Sequence, residues 1–225
     1  MYKEENIFHL SNDAVQLLKK LISIPSFSRE EKGTANAIAE FFQLKNIPTE
    51  RHGNNIIVKN KYYNQSLPNI LLNSHHDTVK PNPSYTNNPF EAIEKEGKIY
   101  GLGSNDAGGP LVALIACFLH FYESNNLLYN IILAATAEEE ISGSGGIEYC
   151  LQYLPQIDFA IVGEPTLMQM AIAERGLMVV DCTAKGKAGH AARGEGINAI
   201  TIALEDIQWI QNFKFEKTSE FLGPV

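Results

Sequence analysis

The sequence predicts an α/β sandwich whose sheet is at least partly parallel, followed by the opening strand and helix of a second domain. Three observations carry this. NIILAAT at 130–136 and FAIVG at 159–163 are short continuous apolar runs, the composition of buried central strands. Segments of helical periodicity alternate with such runs, as where helices cover a sheet with parallel neighbours. After Glu174 the pattern changes: LMVVDCTAK at 177–185 alternates like a strand, 198–213 reads as an amphipathic helix, and the glycine-bearing GKAGHAARGEG lies between.

The elements follow in order. Ala14, Leu17, Leu18 and Leu21 fall at helical spacing behind Ser11 and Asn12, the candidate N-caps, and Pro25 closes that helix. A second helix is expected over about 30–45, burying Ile38, Phe41 and Phe42. NNIIVK at 54–59 and NILLN at 69–73 read as strands. Residues 108–122 are apolar nearly all round, which suits a helix packed inside a sheet protein. The helix at 198–213 should turn Ile200, Ala203, Leu204, Ile207 and Ile210 inward. The chain thus divides into 1–174 and 175–225. A lone strand and helix bury too little surface to stand alone, so the second unit reads as the start of a domain, and the chain as the front part of a longer protein.

Composition excludes more than it selects. With 44% hydrophobic and 20% charged residues, the 225-residue chain folds. It has no run of 18 apolar residues to span a membrane, and its start, MYKEENIFHLSND, lacks the basic and apolar parts of a secretion signal. The three cysteines, Cys117, Cys150 and Cys182, are widely spaced and expected to be reduced, which points to the cytoplasm. A net charge of −8 argues against nucleic acid as a partner.

Four segments place acids and histidines at the ends of expected strands, where α/β sheets gather ligands. In LLNSHHDTVKP, His75 and Asp77 are two apart and project from one face; a neutral imidazole binds zinc, and a nearby carboxylate fixes its orientation. His76 points the other way and is the weaker candidate. A polar strand-to-turn junction is the plainer alternative. In YGLGSNDAGGP, glycines around Asp106 permit a tight turn, and one carboxylate could bridge two cations or simply cap the following helix. AATAEEEISGSGG sets Glu138, Glu139 and Glu140 behind a buried strand, where mutual repulsion calls for a cation or for solvent. AIVGEPT repeats the pattern with a single acid, Glu164, which alone could be no more than a turn. Together, one imidazole and several carboxylates suit zinc, cobalt or manganese better than an iron–sulfur cluster or calcium.

In this order, SHHDTVKP, GLGSNDAGG, TAEEE and VGEPT resemble the successive metal motifs of the aminoacylase/carboxypeptidase-type dizinc family, which includes acetylornithine deacetylase and succinyl-diaminopimelate desuccinylase. The resemblance covers essentially the whole chain. It implies a zinc-hydrolase sandwich with a mixed, largely parallel sheet, followed by the start of a ferredoxin-like α+β dimerisation or lid domain. It further implies two divalent ions, zinc first and cobalt or manganese after it. His75 and Glu164 would bind one ion, Glu140 the other, and Asp106 both. Asp77 would steady His75, and Glu139 would be the general base, with the register inside the triple glutamate left open. His190, in a Gly-His pair, would hold the oxyanion across a homodimer, and Arg193 could meet a substrate carboxylate. The peptide after Asp106 is expected to be cis.

The implied reaction is metal-assisted amide hydrolysis of an N-acyl amino acid or short peptide. The motifs lie nearest acetylornithine-type deacylases of arginine biosynthesis; a desuccinylase, dipeptidase or carboxypeptidase is the alternative. One departure matters: the family's last metal ligand is a distal histidine, and no histidine follows His190. The chain as it stands is therefore expected to be weak or inactive. A non-catalytic binding or dimerisation protein on this scaffold is the reading of another class, against which stand Asp106 and the Glu139-Glu140 pair.

Overall fold

The computed structural model describes residues 4–223 and divides the chain into two units, Met1–Leu167 and Met168–Val225. In the first, helix α1 (Glu4–Ile22) buries Ala14, Leu17, Leu18, Leu21 and Ile22. It begins well before Ser11, so neither Ser11 nor Asn12 caps it. Nothing from Ile7 to Leu10 breaks a helix, and serine inside one costs only a few tenths of a kcal/mol, about 0.5. Pro25 disfavours helical backbone at Ile24, and α1 has ended by then. Helix α2 (Lys32–Leu44) buries Ala35, Ile38 and Phe42.

Strands β1 (Glu50–His52), β2 (Asn55–Lys59) and β3 (Asn69–His75) are followed by a separate hairpin of β4 (Ile93–Lys95) and β5 (Lys98–Tyr100). Helix α3 (Gly109–Phe121) leads to β6 (Asn130–Thr136), a short α4 (Ile147–Cys150) and β7 (Phe159–Val162). The five-stranded sheet runs β1-β2-β6-β3-β7. Its β1–β2 and β2–β6 pairings are antiparallel, while β6–β3 and β3–β7 are parallel. The sheet is thus mixed, with a smaller parallel share than expected.

Alternation along the strands divides the core. Ile56, Val58, Leu72, Ile131, Leu133 and Ala135 face α1, α2 and α3, while Ile57, Leu71, Ile132 and Ala134 face Cys150. Burial on both faces is why NIILAAT is apolar throughout. FAIVG, expected as a central strand too, is instead the sheet's edge: Phe159, Ile161 and Val162 are exposed. An apolar run alone does not distinguish the two positions.

The second unit holds α5 (Ala199–Asn212), whose cap Asn198 accepts the Ile200 N–H at 2.9 Å. The strand expected at 177–185 is not formed. Strands need a ladder partner, and among the described residues none pairs there; Leu177, Met178, Val179 and Val180 are exposed. Instead, isolated antiparallel bridges join Lys187 to Ile197 and Ser219 to Gly223. The face of α5 expected inward is also open, with Ile200, Leu204, Ile207 and Ile210 exposed and Ala203 half-buried. Among the described residues no helix is long and apolar enough to cross a membrane.

Candidate metal centre

The parallel pairing sets the carboxyl ends of β3 and β6 side by side, with His75 opposite Thr136. His75 ends β3 and is 1% exposed. Its Nδ1 lies 3.1 Å from the backbone oxygen of Asp77 and 3.3 Å from Asp77 Oδ1. Its Nε2 faces carboxylates from three other segments: Asp106 Oδ1 at 3.1 Å, Glu139 Oε2 at 3.7 Å and Glu164 Oε1 at 3.8 Å. With Nδ1–H given to Asp77, Nε2 is the nitrogen left for ligation. Ligand atoms of His75, Asp106 and Glu140 all lie within 4.8 Å of one another.

Asp106 is delivered by a wide turn over Ser104–Gly108, whose Gly108 N–H donates to the Gly103 oxygen at 2.9 Å. A Cβ on Gly108 would stand 2.5 Å from that oxygen, so the turn closes only with glycine there. The Asp106-Ala107 peptide is cis, and Pro110 lies in the first turn of α3.

Behind β6 the backbone turns sharply, with Glu138 left-handed at φ 55° and a single 3-10 turn over Glu139–Ile141. The Glu138 carboxylate folds back, accepts the Gly145 N–H at 3.3 Å and lies 3.8 Å from Arg29. Of the triple glutamate, Glu139 and Glu140 are the pair that reaches the His75 group. Glu164 follows Gly163, whose N–H extends the ladder to Asn73 O at 2.8 Å and whose oxygen accepts the Ser74 hydroxyl at 2.7 Å.

Asp77 is fully buried and does more than steady an imidazole. Its Oδ1 accepts the Glu139 N–H at 3.1 Å, and its Oδ2 accepts the Glu140 N–H at 3.2 Å and the Ser28 hydroxyl at 2.8 Å. Burial alone would raise its pKa, yet these bonds and His75 hold it below the ordinary carboxylate range. Burial alone would lower the pKa of His75; the Asp77 hydrogen bond and charge, with Glu164 and Glu139, outweigh it and push it up to about 9. Burial raises Glu140, reinforced by Asp106, and raises Glu164, reinforced by Glu139 and Asp106, while His75 pulls both back. Such crowding of acids around one imidazole is what a divalent cation relieves, so the donor set fits zinc, cobalt or manganese.

His76 points to the opposite side, where its Nε2 meets the Asn54 oxygen at 3.0 Å and its Nδ1 the Thr34 hydroxyl at 2.9 Å. Burial lowers its pKa to about 4. His190 and Arg193 belong to the second unit, where the Arg193 N–H donates to the His190 oxygen at 3.0 Å. Glu31 and Asn55 went unnoticed in the sequence. Asn55, buried in β2, donates to Gly145 O at 2.8 Å and accepts the Ala137 N–H at 2.9 Å, tying the acidic loop to the sheet. No spacing rule links residues so far apart in the chain.

The sheet and the acids at its strand ends define a metal-binding α/β sandwich. Residues 71–221 match the model of Peptidase family M20/M25/M40, and the chain belongs to that family. It is 33% identical over 222 residues to a succinyl-diaminopimelate desuccinylase of Rickettsia bellii, covering 91% of this chain and 57% of the relative. To an acetylornithine deacetylase of Proteus mirabilis it is 29% identical over 227 residues, covering 94% and 58%. The crystal structure of a tripeptidase from Staphylococcus aureus shares the fold at a TM-score of 0.60 and 20% identity, over 93% of this chain and 58% of that one. The chain thus spans a little over half the length of these curated relatives.

Proposed function

We propose that the whole protein hydrolyses the amide bond of an N-acylated amino acid with the help of two divalent ions, zinc in the first place. The observation that carries this is His75 Nε2 surrounded at 3.1–3.8 Å by Asp106, Glu139 and Glu164. His75, Asp106 and Glu164 would hold one ion, and Asp106 and Glu140 the other. When bound, the ions supply Lewis-acid polarisation of the acyl carbonyl and make a water more acidic. The exposed Glu139 carboxylate would take a proton from the attacking water as its oxygen bonds to the carbonyl carbon, and return it to the amine nitrogen as the C–N bond breaks. Asp77 fixes the His75 ring, and in the proposed homodimer the partner's His190 offsets the charge that builds on the carbonyl oxygen.

The preferred substrate is an N-acetylated ornithine or citrulline, supported by the motif resemblance and by the name of the Proteus mirabilis relative. The name of the Rickettsia bellii relative supports a second reading, N-succinyl-diaminopimelate. Within this proposal residues 1–174 form the catalytic part and 175–225 open a lid through which two copies associate. The exposed apolar side chains of α5 support that association. The test is release of free amine from N-acetylornithine, N-acetylcitrulline and N-succinyl-diaminopimelate by the zinc-loaded whole protein, with Glu139→Gln beside it. Glu139→Gln should keep its metal and lose most turnover; normal turnover in that variant refutes the assigned base.

A further inference from the structure

Glu31, the residue before α2, carries a fully buried carboxylate far in sequence from the metal centre. Three donors from three segments hold it. Its Oε1 accepts the Arg29 N–H at 2.6 Å and the Glu138 N–H at 3.2 Å, and its Oε2 accepts the Asn54 amide at 2.9 Å. A buried carboxylate persists only where donors replace its water, and here each one is a neutral N–H. Among the described residues Glu31 makes no ion pair, so its bonds, not a countercharge, decide where it sits.

The Glu138 N–H is the first of three in a row. The next two, from Glu139 and Glu140, go to the two oxygens of Asp77. Two buried carboxylates, those of Glu31 and Asp77, therefore take the N–H groups of all three glutamates. Glu138 is also the residue forced to φ 55°, a conformation a glutamate keeps only when its surroundings impose it. Releasing its N–H would let the turn rotate about the Asp77 anchor. That rotation would carry the two following side chains away from His75.

We propose that Glu31 is a positioning residue: its carboxylate fixes the backbone at Glu138, so that Glu139 and Glu140 are aimed at the His75 group. This deepens the proposed function and rests on Glu139 and Glu140 being its base and metal ligand. Asn54 completes the device by pointing the second oxygen of Glu31 towards the β1–β2 turn. In Glu31→Gln one acceptor remains, and the new amide group must meet either a backbone N–H or the amide of Asn54.

The test uses the 225-residue chain with Co2+ as the probe, read by its visible absorption and by chelator competition, beside amide hydrogen exchange. Glu31→Gln should weaken Co2+ binding about tenfold or more, the range found when outer partners of metal ligands are changed. Exchange at 138–140 should accelerate relative to the amides of β6. Asn54→Ser should move both in the same direction by less, and it carries the test should Glu31→Gln not fold. Asn130→Ala is the control for general loosening, because Asn130 bonds Asn64 and Asn69 at the other end of β6. It should lower stability without changing Co2+ affinity. If the Glu31 variant weakens Co2+ no more than Asn130→Ala, or speeds exchange uniformly, the positioning role is overturned. Wild-type protein that binds no Co2+ would show that this chain alone does not complete the centre; the exchange ratio then decides alone whether Glu31 holds the turn.

Discussion

Asp77 holds Glu139 by its backbone: Oδ1 accepts the Glu139 N–H at 3.1 Å while lying 3.3 Å from His75 Nδ1. One carboxylate thus orients the imidazole and anchors the turn that brings acids to its other nitrogen. Asp77→Asn keeps the size but replaces one acceptor by an amide that must face Ser28 and a backbone N–H. Zinc affinity, measured by chelator competition, should fall by about tenfold to a hundredfold. Stability in urea should drop by about 1–3 kcal/mol, because a buried donor loses its acceptor. Unchanged zinc affinity would mean that His75 is oriented without it.

How zinc binds should depend on the proton it displaces. The folded pKa of His75 is raised to about 9 from 6.5, so at neutral pH the metal-free ring is charged. Zinc takes the neutral ring. Binding at pH 7 should therefore release a proton from His75, seen as a calorimetric enthalpy that varies with the buffer's ionisation enthalpy. Affinity should rise with pH until about 9. Without metal the sign reverses for stability. The raised pKa contributes fully below 6.5, and the contribution disappears as pH rises through about 9. Zinc affinity that is flat between pH 6 and pH 9, round numbers spanning about that shift, would contradict the charged ring.

His76, its neighbour in sequence, should behave oppositely. Burial holds it neutral, with a folded pKa of about 4 against 6.5. A lowered histidine pKa contributes stability above 6.5 that is lost as pH falls towards 4, because the unfolded chain binds the proton first. The shift corresponds to about 3 kcal/mol. The urea midpoint should fall over this range in the wild type and clearly less in His76→Gln. Equal slopes would show that other groups set the acid limit.

The difference between these two histidines was legible in the sequence, since strand alternation sends neighbours to opposite faces. So were His75, Asp106, Glu139, Glu140 and Glu164 as candidates, because each lies at a strand end or a glycine turn, and the structure gathers them. Glu31 was not. Its partner Glu138 stands 107 residues away, and an acid before a helix ordinarily needs no explanation beyond the helix dipole. The edge position of β7 was hidden because an apolar run fixes composition and not neighbours. At 177–185 alternation was present, but a strand is a property of a pair, and no partner forms there among the described residues.

Glu138 offers the last test, since its carboxylate is bound up with Gly145. A Cβ on Gly145 would meet Glu138 Oε1 at 2.3 Å, and the other close atoms there belong to the same side chain. Gly145→Ala must therefore push the carboxylate aside and break its bond to the Gly145 N–H. The cost should be about 1 kcal/mol, the net value of such a bond. In a Glu138→Ala background the obstruction and the bond are both gone. The same substitution should then be neutral, or stabilising by about 0.4–1 kcal/mol through the unfolded chain. A double-mutant cycle in urea should give a coupling of about 1 kcal/mol or more. Additive effects would mean that the loop yields elsewhere, and that Glu138 does not close it.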